Sequence, residues 1–417
     1  MSAGAIGHAE LAALQRRTVW LLSAGQVLGG FAIGATISLG ALLVADVSGS
    51  DAWSGMAATM STLGAAVAAI PLARVAVRRG RRIALSSGAL ISALGAALTI
   101  VAASVRSFPL LLLALALVGA GAAVALQARF AATDLATDRT RGRDLSIVVW
   151  ATTLGAVIGP NLLEPGEVVG RIFGLVPLTG PFLFGIAAQL LAAAVYLFAL
   201  RPDPLLIARA LGAAADAAVR AEAPALESRA RERFAILTVA LSHATMVAVM
   251  SMTPVHLLHH GSSLTVIGLT ISLHVAGMFA LSPVFGILAD RLGRLPIILL
   301  GQGLFVGALV TLAVGAETAS AVTVGLVLLG LGWSASTVAG SALVTESTAP
   351  LRRPRVQGVT DTLMNLSGAA GGALAGPTLA LVGFDGLAVT ATALVLAVVV
   401  GAVVVGRRPA SPLPVSG

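Results

Sequence analysis

The chain has 417 residues, 57% hydrophobic and 11% charged, with a mean hydropathy of +0.98 and a formal charge of +8. That composition excludes a soluble globular domain and predicts an integral membrane protein. Lysine and cysteine are absent and no His-Glu-x-x-His pattern occurs, which removes Walker A nucleotide chemistry, zinc-protease chemistry, disulfides and thiolate metal ligands, so the chain reads as a non-enzyme.

A bilayer-crossing helix needs roughly 20 apolar residues. Twelve such stretches follow in order, near 18–45, 53–73, 83–104, 108–131, 145–163, 178–200, 234–257, 264–285, 296–315, 321–344, 357–382 and 384–406. The first is too long for a cleavable signal peptide. Arginine sets the expected orientation. Of the 26 arginines, 24 fall in the leader, the even-numbered loops and the tail, leaving Arg106 and Arg171 on the other side. By the positive-inside rule both termini are expected in the cytoplasm, with the chain in the cytoplasmic membrane. Basic residues in short loops between apolar spans fit a membrane surface, not nucleic acid. The one long polar connection divides the spans six and six. The expected organisation is a first bundle over 1–200, a cytoplasmic linker over 201–233, and a second bundle over 234–417 ending in a short tail; the linker reads as a solvated tether in preference to a surface helix.

Two loops repeat. Between spans 8 and 9 the sequence GILADRLGR carries Gly286, Asp290, Arg291, Gly293 and Arg294; between spans 2 and 3, ARVAVRRGRR keeps Gly80, Arg81 and Arg82 but has Ala73 and Val77 in place of the glycine and aspartate. The first of these resembles the signature loop of the major facilitator superfamily. The matched glycines, Gly80 and Gly293, are 213 residues apart, as two parallel six-helix repeats require. The resemblance implies an all-α membrane protein of twelve transmembrane helices in two pseudosymmetric six-helix bundles, working by alternating access. It also implies a gating role for the second loop, carried by Asp290 and its neighbouring arginines because Val77 cannot supply the first-half acid. In span 5, Gly155, Gly159 and Pro160 read as a packing and kink device, and Gly371, Gly372 and Gly376 in span 11 likewise.

Chemistry-bearing side chains concentrate between His243 and Met278, which holds five of six histidines and four of eight methionines. Met246 and Met250 are four apart in span 7, as are His274 and Met278 in span 8, and such pairs share one helix face. With a rise of about 1.5 Å per residue, Met246 lies roughly 18 Å in from the start of its span and His274 at a similar level on the antiparallel neighbour. Thioether and imidazole are ligands for soft, monovalent copper. Taken singly, each of these residues reads more readily as packing; taken together the two pairs resemble the CcoA-like copper importers of the major facilitator superfamily, which implies Met246, Met250, His274 and Met278 as ligands. His243 is a spare ligand or proton acceptor, His256 with His259 and His260 an outer collection point or merely a hydrated loop, and Met56 and Met60 a second soft contact. On this reading the partners are copper as substrate, a cytoplasmic copper acceptor and membrane lipid, with no nucleic acid and no resident cofactor. The alternative is a proton-coupled exporter or vitamin importer of a small organic molecule, with Gln26, Gln302 and Asn365 orienting the ligand and His243 or His274 titrating. A sensor has little support, since no loop supplies an output domain. Trp150 and Trp333 read as packing or interface residues, and Asp361 with Asn365 as a helix cap or cross-link.

Overall fold

The computed structural model describes residues 8–137, 140–211, 229–349 and 352–406, and among these there is helix and turn but no strand. The helices are α1 (His8–Ser48), α2 (Met56–Arg79), α3 (Arg81–Ser104), α4 (Phe108–Val118), α5 (Ala120–Ala131), α6 (Arg141–Ile158), α7 (Leu163–Ile172), α8 (Pro181–Ala194), α9 (Pro204–Ala210), α10 (Arg229–His259), α11 (Leu264–Phe279), α12 (Ser282–Leu292), α13 (Arg294–Gly315), α14 (Ala319–Glu346) and α15 (Arg353–Gly406). Eleven stretches among the described residues are long and apolar enough to cross a bilayer. The last of them is broken at Gly383, whose φ of 74° belongs to the region glycine favours. That single residue divides α15 where the eleventh and twelfth apolar spans meet. The outward faces stay apolar: Val314 is 86% exposed and Leu381 84%, a costly arrangement in water and the expected one against lipid.

The chain forms two compact units, one comprising Met1–Val219 with Ser262–Ser272 and the other Arg220–Gly261 with Leu273–Gly417. The first is built around Leu22, Leu72, Leu85, Val148 and Tyr196, and the second around Phe234, Phe285, Ile297, Ile298, Ala335 and Leu343. Close helix approach in the first unit comes from small residues. A methyl group at Gly30 would stand 2.7 Å from Ala156 N and Thr152 O, and Gly159 faces Gly34, so α1 and α6 touch backbone to backbone. Beyond Ile158 the chain tightens into a 3-10 turn over Gly159–Leu162. This is the packing and kink role expected of Gly155, Gly159 and Pro160; Gly371 does the same against Ala244.

The expected tether begins as a docked helix. Asp203 caps α9 by accepting from Leu205 N at 3.1 Å and Leu206 N at 3.3 Å, and Pro204 stands at the first helical position, where its missing N–H costs nothing. The same carboxylate accepts from Arg82 N at 2.8 Å, and Arg209 donates to Val77 O at 2.5 Å. The start of the linker is thus fastened to the turn between α2 and α3. Residues 212–228 of it lie outside the described residues.

Candidate functional site

His243 is the centre of a half-buried aromatic group in the second unit. It lies on α10, one side of which packs along α14 and α15. Trp333 Nε1 on α14 donates to His243 Nδ1 at 3.0 Å, so in the neutral imidazole the proton sits on Nε2. Trp333 in turn meets Phe279 of α11 edge-on, with ring centroids 5.7 Å apart at 71°. Gly368 of α15 forms the floor: a methyl group there would come within 2.6 Å of His243 Cδ2 and 2.8 Å of Nε2. Three positions along α15 from Gly368, on the same face, Asn365 turns its amide back to Asp361 O at 2.8 Å. Three ring systems and an N–H donor therefore stand together without being fully covered. Such a surface stacks against a flat organic molecule and offers it a hydrogen bond.

The four sulfur and imidazole residues are all buried in the second unit: Met246, Met250, His274 and Met278. His274 is 0% exposed. Its Nδ1 donates to Leu326 O on α14 at 2.7 Å, while Nε2 is buried without a partner. The backbone carbonyl thus fixes the tautomer that leaves a lone pair on Nε2, as it does for metal-ligating histidines. The helix His274 grips is α14, reached through Gly330, where any side chain would collide with His274 O. That contact was invisible in the spacing of spans 7 and 8. Among the described residues, no three His, Cys, Asp or Glu side chains converge in a way that could hold a metal ion.

Several expected site residues serve the architecture instead. His256 is no open collection point: it is buried, donates from Nε2 to Ala316 O at 2.6 Å and stacks on Phe384 with centroids 4.2 Å apart. His260 is exposed and donates from Nδ1 to His256 O at 2.9 Å. Met56 and Met60 are half-buried at the start of α2, in the first unit. Gln26 is engaged within its own unit: it donates to Tyr196 Oη at 3.1 Å and accepts from Thr152 Oγ1 at 2.9 Å. Gln302 likewise donates to Ser242 Oγ and Ser336 Oγ, at 3.2 and 2.9 Å. Both amides are buried; that of Gln26 is used at both ends, whereas Gln302 keeps its Oε1 buried without a partner.

The two signature loops share a backbone. Gly80 has φ 89° and ψ 169°, and Gly293 has φ 94° and ψ 159°. Each ends one helix and starts the next. Behind Gly293, Arg294 bridges Asp290 and Glu346, both at 2.6 Å. Behind Gly80, where Val77 cannot pair, Arg81 makes a two-pronged bridge to Asp134 at 2.9 and 3.1 Å and binds Gln127 Oε1 at 2.9 Å. Burial raises the Asp134 carboxyl above its ordinary value, outweighing the hydrogen bond and charge of Arg81 that pull it down. Asp134 and Asp203 are the anchors that sequence reading missed; the Asp-Pro pair at 203 was the available signal for the second.

The major facilitator superfamily model matches residues 19–260 and 234–417. The chain is a member of that superfamily, a multi-pass membrane transporter and not an enzyme. It is 40% identical over 368 residues to YdeG, an uncharacterised transporter of this type from Bacillus subtilis, covering 87% of this chain and 86% of that one. To a second from the same organism, YddS, it is 39% identical over 391 residues, covering 92% and 89%. To the riboflavin transporter RfnT of Brucella anthropi it is 31% identical over 364 residues, covering 84% and 85%. Its fold is similar to a bacterial homologue of the human lysosomal transporter Spinster (TM-score 0.66, 17% identity, covering 92% of this chain and 94% of that one) and to the human organic anion transporter MFSD10 (TM-score 0.62, 19%, covering 93% and 99%). These likenesses give the copper-importer resemblance no support.

Proposed function

We propose that this protein is a secondary carrier that moves a small, flat organic compound across the cytoplasmic membrane by alternating access, with both termini in the cytoplasm. The observation that carries the reading is the half-buried group of His243, Phe279 and Trp333, a stacking surface with one imidazole N–H left to donate. The 31% identity to a riboflavin transporter over most of both chains supports a ring-bearing substrate of vitamin size. Twenty-four arginines on one side support the orientation. The test is flux of labelled riboflavin and smaller ring compounds into proteoliposomes. Trp333→Ala, which removes both the largest ring and the donor to His243, should cut flux at least about tenfold at equal expression, the loss expected of an aromatic side chain that anchors a ligand. Flux unchanged in that variant overturns the proposal.

A second reading keeps copper as the substrate, held by Met246, Met250, His274 and Met278 and passed to a cytoplasmic acceptor. The unpartnered His274 Nε2 favours it. Copper flux that falls in both Met246→Ala and His274→Ala, with ring-compound flux absent from the wild type, would select this reading; copper flux indifferent to both substitutions removes it.

A further inference from the structure

The first unit carries a groove in which none of His243, Phe279 and Trp333 takes part. Between α1 and α6 runs a groove of about 650 Å³ lined by Trp20, Ala24, Val27, Ile147, Trp150 and Leu154 among others. That volume falls in the usual range for organic ligands, about 300–1,000 Å³. Its walls are almost wholly apolar, and each carries a tryptophan: Trp20 is 72% exposed and Trp150 50%. Tryptophan gathers where hydrocarbon gives way to headgroups.

Helical spacing adds the charge. Arg16 stands four residues before Trp20 on α1, and Arg143 four residues before Ile147 on α6, so each arginine continues the stripe that forms its wall. Both lie toward the arginine-rich end. Among the described residues the Arg16 side chain has no hydrogen bond or ion pair. Arg143 leans on Asp144 at 3.2 Å but keeps 64% of its side chain exposed, and Asp144 is itself buried and taken up by Gln15 Nε2 at 2.8 Å. From Trp20 to Val27 and from Ser146 to Leu154 the groove is about 10–12 Å long by helical rise. That is less than one leaflet of a hydrocarbon core about 30 Å thick.

We infer that this groove is a site for an anionic phospholipid, one acyl chain lying between Trp20 and Trp150 and the phosphate held between Arg16 and Arg143. An amphiphile with one negative headgroup matches an apolar slot whose two walls each run on, one helical turn further, to an arginine, and which is no deeper than a leaflet. A zwitterionic lipid of equal chain length fills the slot but gains less from the arginines.

Native mass spectrometry of the full chain in detergent, with phosphatidylglycerol or phosphatidylcholine of identical acyl chains, tests this. The wild type should retain phosphatidylglycerol with a preference of about tenfold. Arg16→Gln/Arg143→Gln should bring the two lipids to within about twofold, since each basic side chain at headgroup level contributes a similar share. Ala24→Trp fills the slot from an exposed position that the core does not use, and should lose both lipids while the melting temperature in lipid-free detergent stays unchanged. A preference that survives the arginine substitutions overturns the inference, as does full retention in Ala24→Trp. Flux of an organic compound abolished by Ala24→Trp, with lipid retention kept, assigns the groove to the transported compound and overturns it equally.

Discussion

His243 and Gly368 illustrate how a single absent methyl group defines a site. The imidazole occupies the space that a side chain at 368 would need, and only in that place does it meet Trp333 Nε1. Gly368→Ala should therefore displace the ring, break the Trp333 hydrogen bond and abolish most transport, while Gly358→Ala on the same helix, which faces open space, should leave flux unchanged. A flux assay on matched expression levels reads both; equal activity in the two variants would separate the imidazole from function. Sequence put His243 in the cluster of chemistry-bearing side chains, as a spare ligand or proton acceptor. It did not show Trp333, because which helices face each other depends on rotation about each axis, and spacing along one helix fixes only relative phase. The same limit explains Gln26 and Gln302. Both were expected to orient a ligand, but their rotational positions turn them toward hydroxyl partners on adjoining helices, with Gln302 Oε1 alone left without one.

At the level of elements, the paired signature turns were the most legible feature, since Gly80 and Gly293 fall at one register and adopt one conformation. Their surroundings differ. Alanine at either position faces a backbone region that strains any side chain by about 1–3 kcal/mol. At Gly80 the new methyl group would also strike the Asp203 carboxylate, whereas at Gly293 the nearest atom, Pro296 Cδ, is 3.8 Å away. Thermal unfolding should accordingly rank Gly80→Ala well below Gly293→Ala, and equal losses would show that α9 yields without resistance. Asp134 adds a dependence on acidity. Its carboxyl binds a proton more tightly in the folded chain than in the unfolded one, so its contribution is full below the ordinary aspartate value of 3.8 and fades as pH climbs through the raised value. The melting advantage of wild type over Asp134→Asn should narrow from about pH 4 upward and then level off. A gap that widens with pH would mean that Arg81, not burial, sets the balance.

For the whole molecule, composition was enough to read an all-helical membrane chain, because the bilayer leaves few other solutions for backbone groups; eleven stretches among the described residues are long and apolar enough to cross. The break at Gly383 fell where the eleventh and twelfth spans were separated. What escaped was the linker, where composition predicted a tether and one capped heptapeptide helix is fixed to the first unit instead. The first half also lacks the acid that the second half has at Asp290. Val77 occupies that register and is 57% exposed, so Val77→Asp should be accepted and create an i, i+4 pair with Arg81. Expression and melting temperature should stay within the small effect of an exposed pair, about 0.5 kcal/mol; collapse of the fold would show that Arg81 tolerates no second acid.

The twin glycine corners divide what the backbone dictates from what the side chains are free to solve. A corner of that shape disfavours every residue with a Cβ, so the same residue type stands at both. The acids that brace each corner answer to no such restriction: one half uses Asp290 and Glu346, the other Asp134 and, from the joining segment, Asp203.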